Sequence, residues 1–251
     1  MLVGFFHKRG GIYLRSSALA SLLMVALYFF TGGILGNSED DSSARQAPSA
    51  ELSAPGSITS GSVAGKTIVI DPGHGGGNPG TVGIGPEPEK DIVLDIAYNV
   101  KAMLEQAGAR VVMTRTGDYD PGLAASTGQL TARARTANAT GADVFISIHA
   151  NWNDNPRVRG VETYHYTNSG QGLARYLQRD VVAQTGFSDL GVKYGNFYVL
   201  RNTNMPAALV EVGFLSNKQE AALLASPQYK EKVARGIYYG LERYFAETAG
   251  R

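Results

Sequence analysis

Asp143-Val-Phe-Ile-Ser-Ile-His149 is the stretch that decides the fold. It is short, rich in β-branched and aromatic residues, and followed by the loop-like Ala150-Asn-Trp152. A short apolar run bounded in this way reads as a strand covered on both sides, which belongs in the middle of a sheet flanked by helices. Working outward, Lys66-Thr-Ile-Val-Ile-Asp71 reads as another buried strand, stopped by Pro72-Gly73. Between the two, Ile92, Val93, Ile96, Val100, Met103 and Leu104 recur at helical spacing until Gly108 ends the helix. Arg110-Val-Val-Met-Thr is a further strand, and Leu130 to Gly141 a further helix. Beyond His149, strands are expected over Val161–Tyr166, Asn196–Leu200 and Ala207–Val212. Helices are expected over Leu173–Gln184, Lys218–Ala225 and from Gln228 to about Thr248. Alternating strands and helices define an α/β domain: a twisted, mostly parallel sheet flanked by helices. Gly75–Pro88 and Gly117–Gly128, crowded with Gly and Pro, read as irregular loops.

Four residues on these elements can carry chemistry. His74 follows a strand and sits among glycines, which let the backbone approach a ligand closely. His149 closes the central strand, at the rim where α/β sheets bind ligands. Glu211 interrupts Ala-Ala-Leu-Val-Glu-Val-Gly-Phe, and an acid inside an apolar strand is costly unless it is paired or binds a metal. The plain alternative for Glu211 is a salt bridge to Arg115 or Arg133. Glu89 stands where a helix starts, a common place for an acid facing the helix dipole. Two His and one Glu form a ligand set that suits zinc with one position left open, and a further acid can serve as general base. His165 lies mid-strand and reads as a packed or exposed residue.

The rest of the chain bounds the setting. Of 251 residues, the first part is not globular. Residues 1–16 carry Lys8, Arg9 and Arg15, and residues 17–36 run without a charge. A stretch of about 20 apolar residues suffices to span a bilayer. The basic flank precedes it, so the remainder is expected on the outer face of the cytoplasmic membrane. A signal peptide cleaved to release a secreted protein is the alternative, for which Ile34-Leu-Gly36 is a poor cleavage site. Residues 37–65, rich in Ser, Ala, Gly and Pro, read as a flexible linker, and residues 66–248 as the folded domain. There is no cysteine, which excludes thiolate ligands, disulfides and Cys nucleophiles. A net charge of +1 with scattered Lys and Arg gives no footprint for nucleic acid. Gly75-Gly-Gly77-Asn-Pro-Gly80 matches a dinucleotide fingerprint in spacing, but Pro79 and the residues after it forbid the helix that the fingerprint requires.

Taken together, Ile70-Asp-Pro-Gly-His-Gly-Gly76, Glu89-Lys-Asp91, Leu130 to Asn138, Ser147-Ile-His-Ala-Asn151 and Glu211-Val-Gly-Phe-Leu-Ser-Asn217 resemble the zinc-dependent N-acetylmuramoyl-L-alanine amidases of the type-3 class, over the whole folded part. The resemblance implies that His74, Glu89 and His149 hold one Zn2+ and that Glu211 is the catalytic acid/base. It implies supporting roles for Asn151, Arg115 and Arg133. The implied reaction cuts the amide between N-acetylmuramic acid and L-alanine in peptidoglycan. The short loop Trp152–Arg159, where some members insert an inhibitory helix, implies an open site. The layout is most similar to the spore-cortex amidases. Another zinc hydrolase of the wall, a peptidase or deacetylase, and a catalytically inert wall-binding module remain as alternatives, and a need for an activating protein partner stays open.

Overall fold

A computed structural model describes residues 61–123 and 128–249. The basic segment 1–16, the expected span 17–36 and most of the linker lie outside the described residues. No helix among the described residues is long and apolar enough to cross a membrane.

Six strands form one sheet: β1 (Thr67–Pro72), β2 (Arg110–Met113), β3 (Val144–Asn151), β4 (Val161–His165), β5 (Asp189–Tyr194) and β6 (Ala207–Phe214). Their order across the sheet is β2-β1-β3-β6-β4-β5. β3 lies between β1 and β6, parallel to both, as its continuous apolar run requires. β4 runs antiparallel to β6 and parallel to β5, so the sheet is mixed, with a single antiparallel pairing.

The helices are α1 (Glu89–Gln106), α2 (Gln129–Ala139), α3 (Asn168–Thr185), α4 (Tyr198–Arg201), α5 (Lys218–Leu224) and α6 (Pro227–Thr248). α1 ends where the sequence places Gly108, which has φ +87. There Gly108 N–H donates to Glu105 O and Ala109 N–H to Leu104 O, a Schellman closure. Strand residues Ile68, Ile70, Ile146, Ile148, Val210 and Val212 pack with α1, α3 and α6 in the main core. The opposite face carries the smaller cluster of Val69, Phe145 and Leu209 under Val199 and Leu200 of α4.

Three expectations need correction. Asn196–Leu200 is not a strand. Its apolar pair Val199–Leu200 is buried by one helical turn, α4, which Asn202 closes by donating to Tyr198 O from both its backbone and side-chain nitrogens. The edge position belongs instead to β5, whose Gly191 and charged residues mask the strand pattern. Folded structure also begins before Lys66: Val63 is buried in the core, and the amides of Gly61 and Ser62 donate to the buried Glu242. α3 starts earlier than its apolar periodicity indicates, because Thr167 caps it by accepting from Gly170 N–H.

Candidate metal centre

The site lies at the carboxyl ends of β1, β3 and β6, on the sheet face that α2 and α4 cover only in part. β1 delivers Asp71 and then the turn to His74. His74 has φ +61 and is the one non-glycine residue in the left-handed region among the described residues. Such a conformation persists where the surrounding structure enforces it, and it clusters at functional sites. β3 delivers His149, and β6 places Glu211 directly beside it in register. Glu89 opens α1.

The three candidate ligands converge. Glu89 Oε1 lies 2.9 Å from His149 Nδ1 and 3.1 Å from His74 Nε2. One ligand atom from each of the three lies within 4.8 Å of the others, close enough to hold one metal ion. The carboxylate is fixed by two amides: Ala150 N–H donates to Oε1 at 3.0 Å and Thr81 N–H to Oε2 at 2.8 Å. Burial opposes ionisation of Glu89, yet hydrogen bonds from His149 and His74 outweigh it and hold the carboxyl well below the usual range. His74 Nδ1 lies 3.1 Å from Asn78 Oδ1, while its Nε2 meets Glu89 Oε1; an Nδ1–H donor to Asn78 would leave Nε2 as the nitrogen for an ion in place of the Glu89 contact. Two glycines make room for the rings. A Cβ at Gly73 would lie 2.3 Å from the His149 ring, and one at Gly80 would lie 2.6 Å from both His74 and Glu89.

Glu211 is the odd member. Its Oε2 is buried without a hydrogen-bond partner. Neither Arg115 nor Arg133 pairs with it, so the salt-bridge alternative fails. Burial raises its pKa well above the usual carboxylate range, and the negative charges of Glu89 and Glu162 add to the effect. Arg133 instead donates to Asp71 at 2.5 Å. Asp71 also accepts from Thr114 Oγ1 at 2.5 Å and Ser147 Oγ at 2.7 Å. Burial works against its charge, but Arg133 and these hydrogen bonds prevail and lower its pKa.

Asn151 touches the site indirectly: its Nδ2 donates to Glu162 Oε1 at 2.7 Å. Glu162 stands opposite Glu211 across the antiparallel pair, paired with Lys193 and accepting from Tyr164 OH. Sequence reasoning missed Glu162 and Asn78. An acid in the alternating strand Val-Glu-Thr-Tyr-His was a usable signal for Glu162; nothing set Asn78 apart in its glycine-rich loop. His165 is a packed residue, its Nδ1 against Thr167 O.

Two clefts meet at His74, His149 and Glu211. The larger, about 430 Å³, reaches Thr81, Asn151 and Trp152; the smaller, about 160 Å³, runs under Leu130, Phe197 and Tyr198. The loop after β3 carries no helix over them. Gly75–Pro88 likewise forms no helix, so the dinucleotide reading has no structural support. A hollow of about 510 Å³ at the far end of α1 lacks any such donor set.

An α/β domain with two His, one Glu and a second, unpaired acid at its strand ends has the make-up of a metal-dependent hydrolase. Residues 68–243 match the N-acetylmuramoyl-L-alanine amidase family, and the chain belongs to that family. It is 37% identical over 195 residues to the germination-specific N-acetylmuramoyl-L-alanine amidase of Bacillus subtilis, covering 74% of this chain and 82% of that protein. It is 38% identical over 187 residues to the amidase LytC of the same organism, covering 73% of this chain but 36% of LytC. The catalytic domain of CwlV, an N-acetylmuramoyl-L-alanine amidase from Bacillus (Paenibacillus) polymyxa, superposes with a TM-score of 0.67 at 38% identity over 72% of this chain and 98% of that one. The CwlD amidase of Clostridioides difficile, solved in complex with the GerS lipoprotein, superposes with a TM-score of 0.68 at 30% identity, over 72% of this chain and 99% of that one.

Proposed function

We propose that His74, Glu89 and His149 hold one zinc ion, and that Glu211 moves the proton while the chain cuts the amide between N-acetylmuramic acid and L-alanine. The observation that carries this reading is the unpaired, buried Glu211 carboxylate beside a three-residue donor group. The donors fit zinc: imidazole nitrogens and a carboxylate, without thiolate, lining an open cleft. Bound there, zinc supplies Lewis acidity toward the amide carbonyl and acidifies water. Glu89 stays ionised because two amides and two imidazoles surround it. With an ion bound, Asn78 Oδ1 would accept from His74 Nδ1–H and leave Nε2 to coordinate. Glu211, whose burial raises its proton affinity, accepts a proton from the attacking water and returns it to the leaving nitrogen of L-alanine. The family likeness favours this reaction over a wall peptidase or deacetylase, and a complete donor set argues against an inert binding module.

The test is digestion of purified peptidoglycan with products read by mass. Peptide-free glycan and peptides beginning with L-alanine, lost with chelator and regained with zinc, are expected. Acetate or cut cross-bridges would overturn the reading.

The biological setting is part of the proposal. The sequence supports a single-pass anchor that keeps the domain on the outer face of the cytoplasmic membrane, with secretion after cleavage as the alternative. Likeness to a germination-specific amidase supports a substrate in spore cortex. The uncovered clefts support activity without an activating partner. Zero basal turnover that an added lipoprotein restores would reverse this last point.

A further inference from the structure

Two fully buried arginines stand behind the ligands and take no part in the proton transfer. Arg115 is 0% exposed and Arg133 2%. Burying a guanidinium is costly, and such groups are ordinarily matched by an acid. Arg133 has one, Asp71. Arg115 has no carboxylate within ion-pair distance among the described residues. Its donors go instead to backbone carbonyls: Nε to Pro72 at 3.0 Å, Nη2 to Gly73 at 2.8 Å and to Lys90 at 2.7 Å, and Nη1 to Gly117 at 3.0 Å. Arg133 adds a second bond to Pro72 O at 2.7 Å and one to His74 O. Three consecutive carbonyls, Pro72, Gly73 and His74, are therefore held by two cations.

The backbone there needs holding. His74, Gly75 and Gly76 all have positive φ, at +61, +123 and +60. Positive φ in a row continues neither helix nor sheet, so the chain leaves the β1–β3 ladder just after Pro72 and the turn needs other donors for its carbonyls. Lys90, the other end of the Arg115 clasp, directly follows Glu89. One guanidinium thus ties the turn bearing His74 to the helix start bearing Glu89. On the outside, Lys90 Nζ donates to Gly76 O at 3.1 Å and to the exposed Asp118 at 2.6 Å, which accepts Gly76 N–H at 2.8 Å.

The geometry points to Arg115 and Arg133 as positioning residues that pre-assemble the metal ligands, fixing His74 in its left-handed conformation against Glu89 before an ion binds. This rests on the proposed metal site and adds to it the source of its pre-organisation. A planar fork with five fixed donors can bind several carbonyls at once, whereas a lysine is a point donor and cannot. Arg115→Lys therefore keeps the charge and removes the clasp.

The experiment measures zinc affinity by competition with a chelating dye on the full chain purified in detergent. Unfolding of the metal-free protein is followed in parallel by circular dichroism. The set is wild type, R115K, R133K, H149A and E242Q, the last a buried acid that fixes Gly61 and Ser62 away from the site. R115K is expected to stay folded and lose about 10–100-fold in zinc affinity, the range for residues that orient ligands. E242Q is expected to lose thermal stability with its zinc affinity unchanged. R133K should behave as R115K; if the stranded Asp71 prevents folding, R115K decides alone. Folded R115K with wild-type affinity overturns this inference and leaves the metal site standing. Zinc affinity that falls with stability in E242Q also overturns it. A wild type that binds zinc no better than H149A overturns the metal site and this inference together.

Discussion

The two faces of one sheet are made by alternate residues of the same strands, yet they differ in kind. On the face toward α1, α3 and α6, Ile68 and Ile70, Ile146 and Ile148, and Val210 and Val212 are apolar from end to end. On the other face, Val69, Phe145 and Leu209 are apolar, but each strand then turns polar within a step: Asp71, Ser147 and His149, Glu211. The first face is stabilised by removing area from water and asks little of geometry. The second face is stabilised by pairing, since a buried polar group without a partner is costly. Asp71 has Arg133, Thr114 and Ser147; Glu162 has Lys193, Asn151 and Tyr164; Glu89 has two amides and two imidazoles. Against that background one carboxylate oxygen, Glu211 Oε2, is left without a hydrogen bond. A face that pairs its other acids leaves this one free, as the proposed proton transfer from water requires.

The largest expected effect breaks that exception. Glu211→Gln should lower turnover by about 10²–10⁴-fold, the range for a positioned acid/base, with zinc content retained. It should also change stability in the metal-free protein. Glu211 has a raised folded pKa, so its contribution is present below the ordinary carboxylate range and is lost as pH rises through the raised value. Chemical denaturation across pH should show the Gln variant level with the parent in acid and more stable at neutral pH. Equal stability at every pH would mean that the carboxylate finds a partner in solution.

On the apolar face, Ile146→Ala should cost about 2–5 kcal/mol of stability. Zinc affinity should be unchanged in whatever fraction stays folded. On the polar face, one strand step away, Ser147→Ala strands Asp71 Oδ2 and should cost about 1–3 kcal/mol. There the loss should reach the metal as well, because Asp71 anchors Arg133 and Arg133 holds His74 O. Metal titration of both variants at matched folded fraction separates the faces; equal zinc affinity in the two would erase the distinction.

Much of this division is legible in the sequence. The run Val-Phe-Ile-Ser-Ile-His announces a strand covered on both sides, and its period-two placement of Ser147 and His149 already sets the polar step on one face. Glu211 is conspicuous because nothing apolar explains an acid at that position. Glu89 is inconspicuous, since an acid at a helix start is ordinary; only its approach to His74 and, across 60 residues of chain, to His149 distinguishes it. Arg115 is harder still, because its partners are carbonyls, which every residue carries. The exchange of α4 for the expected strand at Asn196–Leu200 has a related cause. An apolar pair satisfies either period, and what decides is that β5 already fills the sheet edge.

The smallest expected effect locates where the polar face ends. Lys193 sits on β5, the edge strand, and pairs with Glu162 while its side chain remains 44% exposed. Water can replace it there, so Lys193→Ala should cost less than about 1 kcal/mol. Glu162 keeps the bonds from Asn151 and Tyr164, which hold its carboxylate in place opposite Glu211. Turnover on peptidoglycan should therefore stay close to that of the parent. Large loss of turnover in a stable variant would mean that the exposed ammonium touches substrate and that the working face extends to β5. A large loss of stability with normal turnover would mean instead that Lys193 belongs to the scaffold, on the side of the comparison where Ile146 stands.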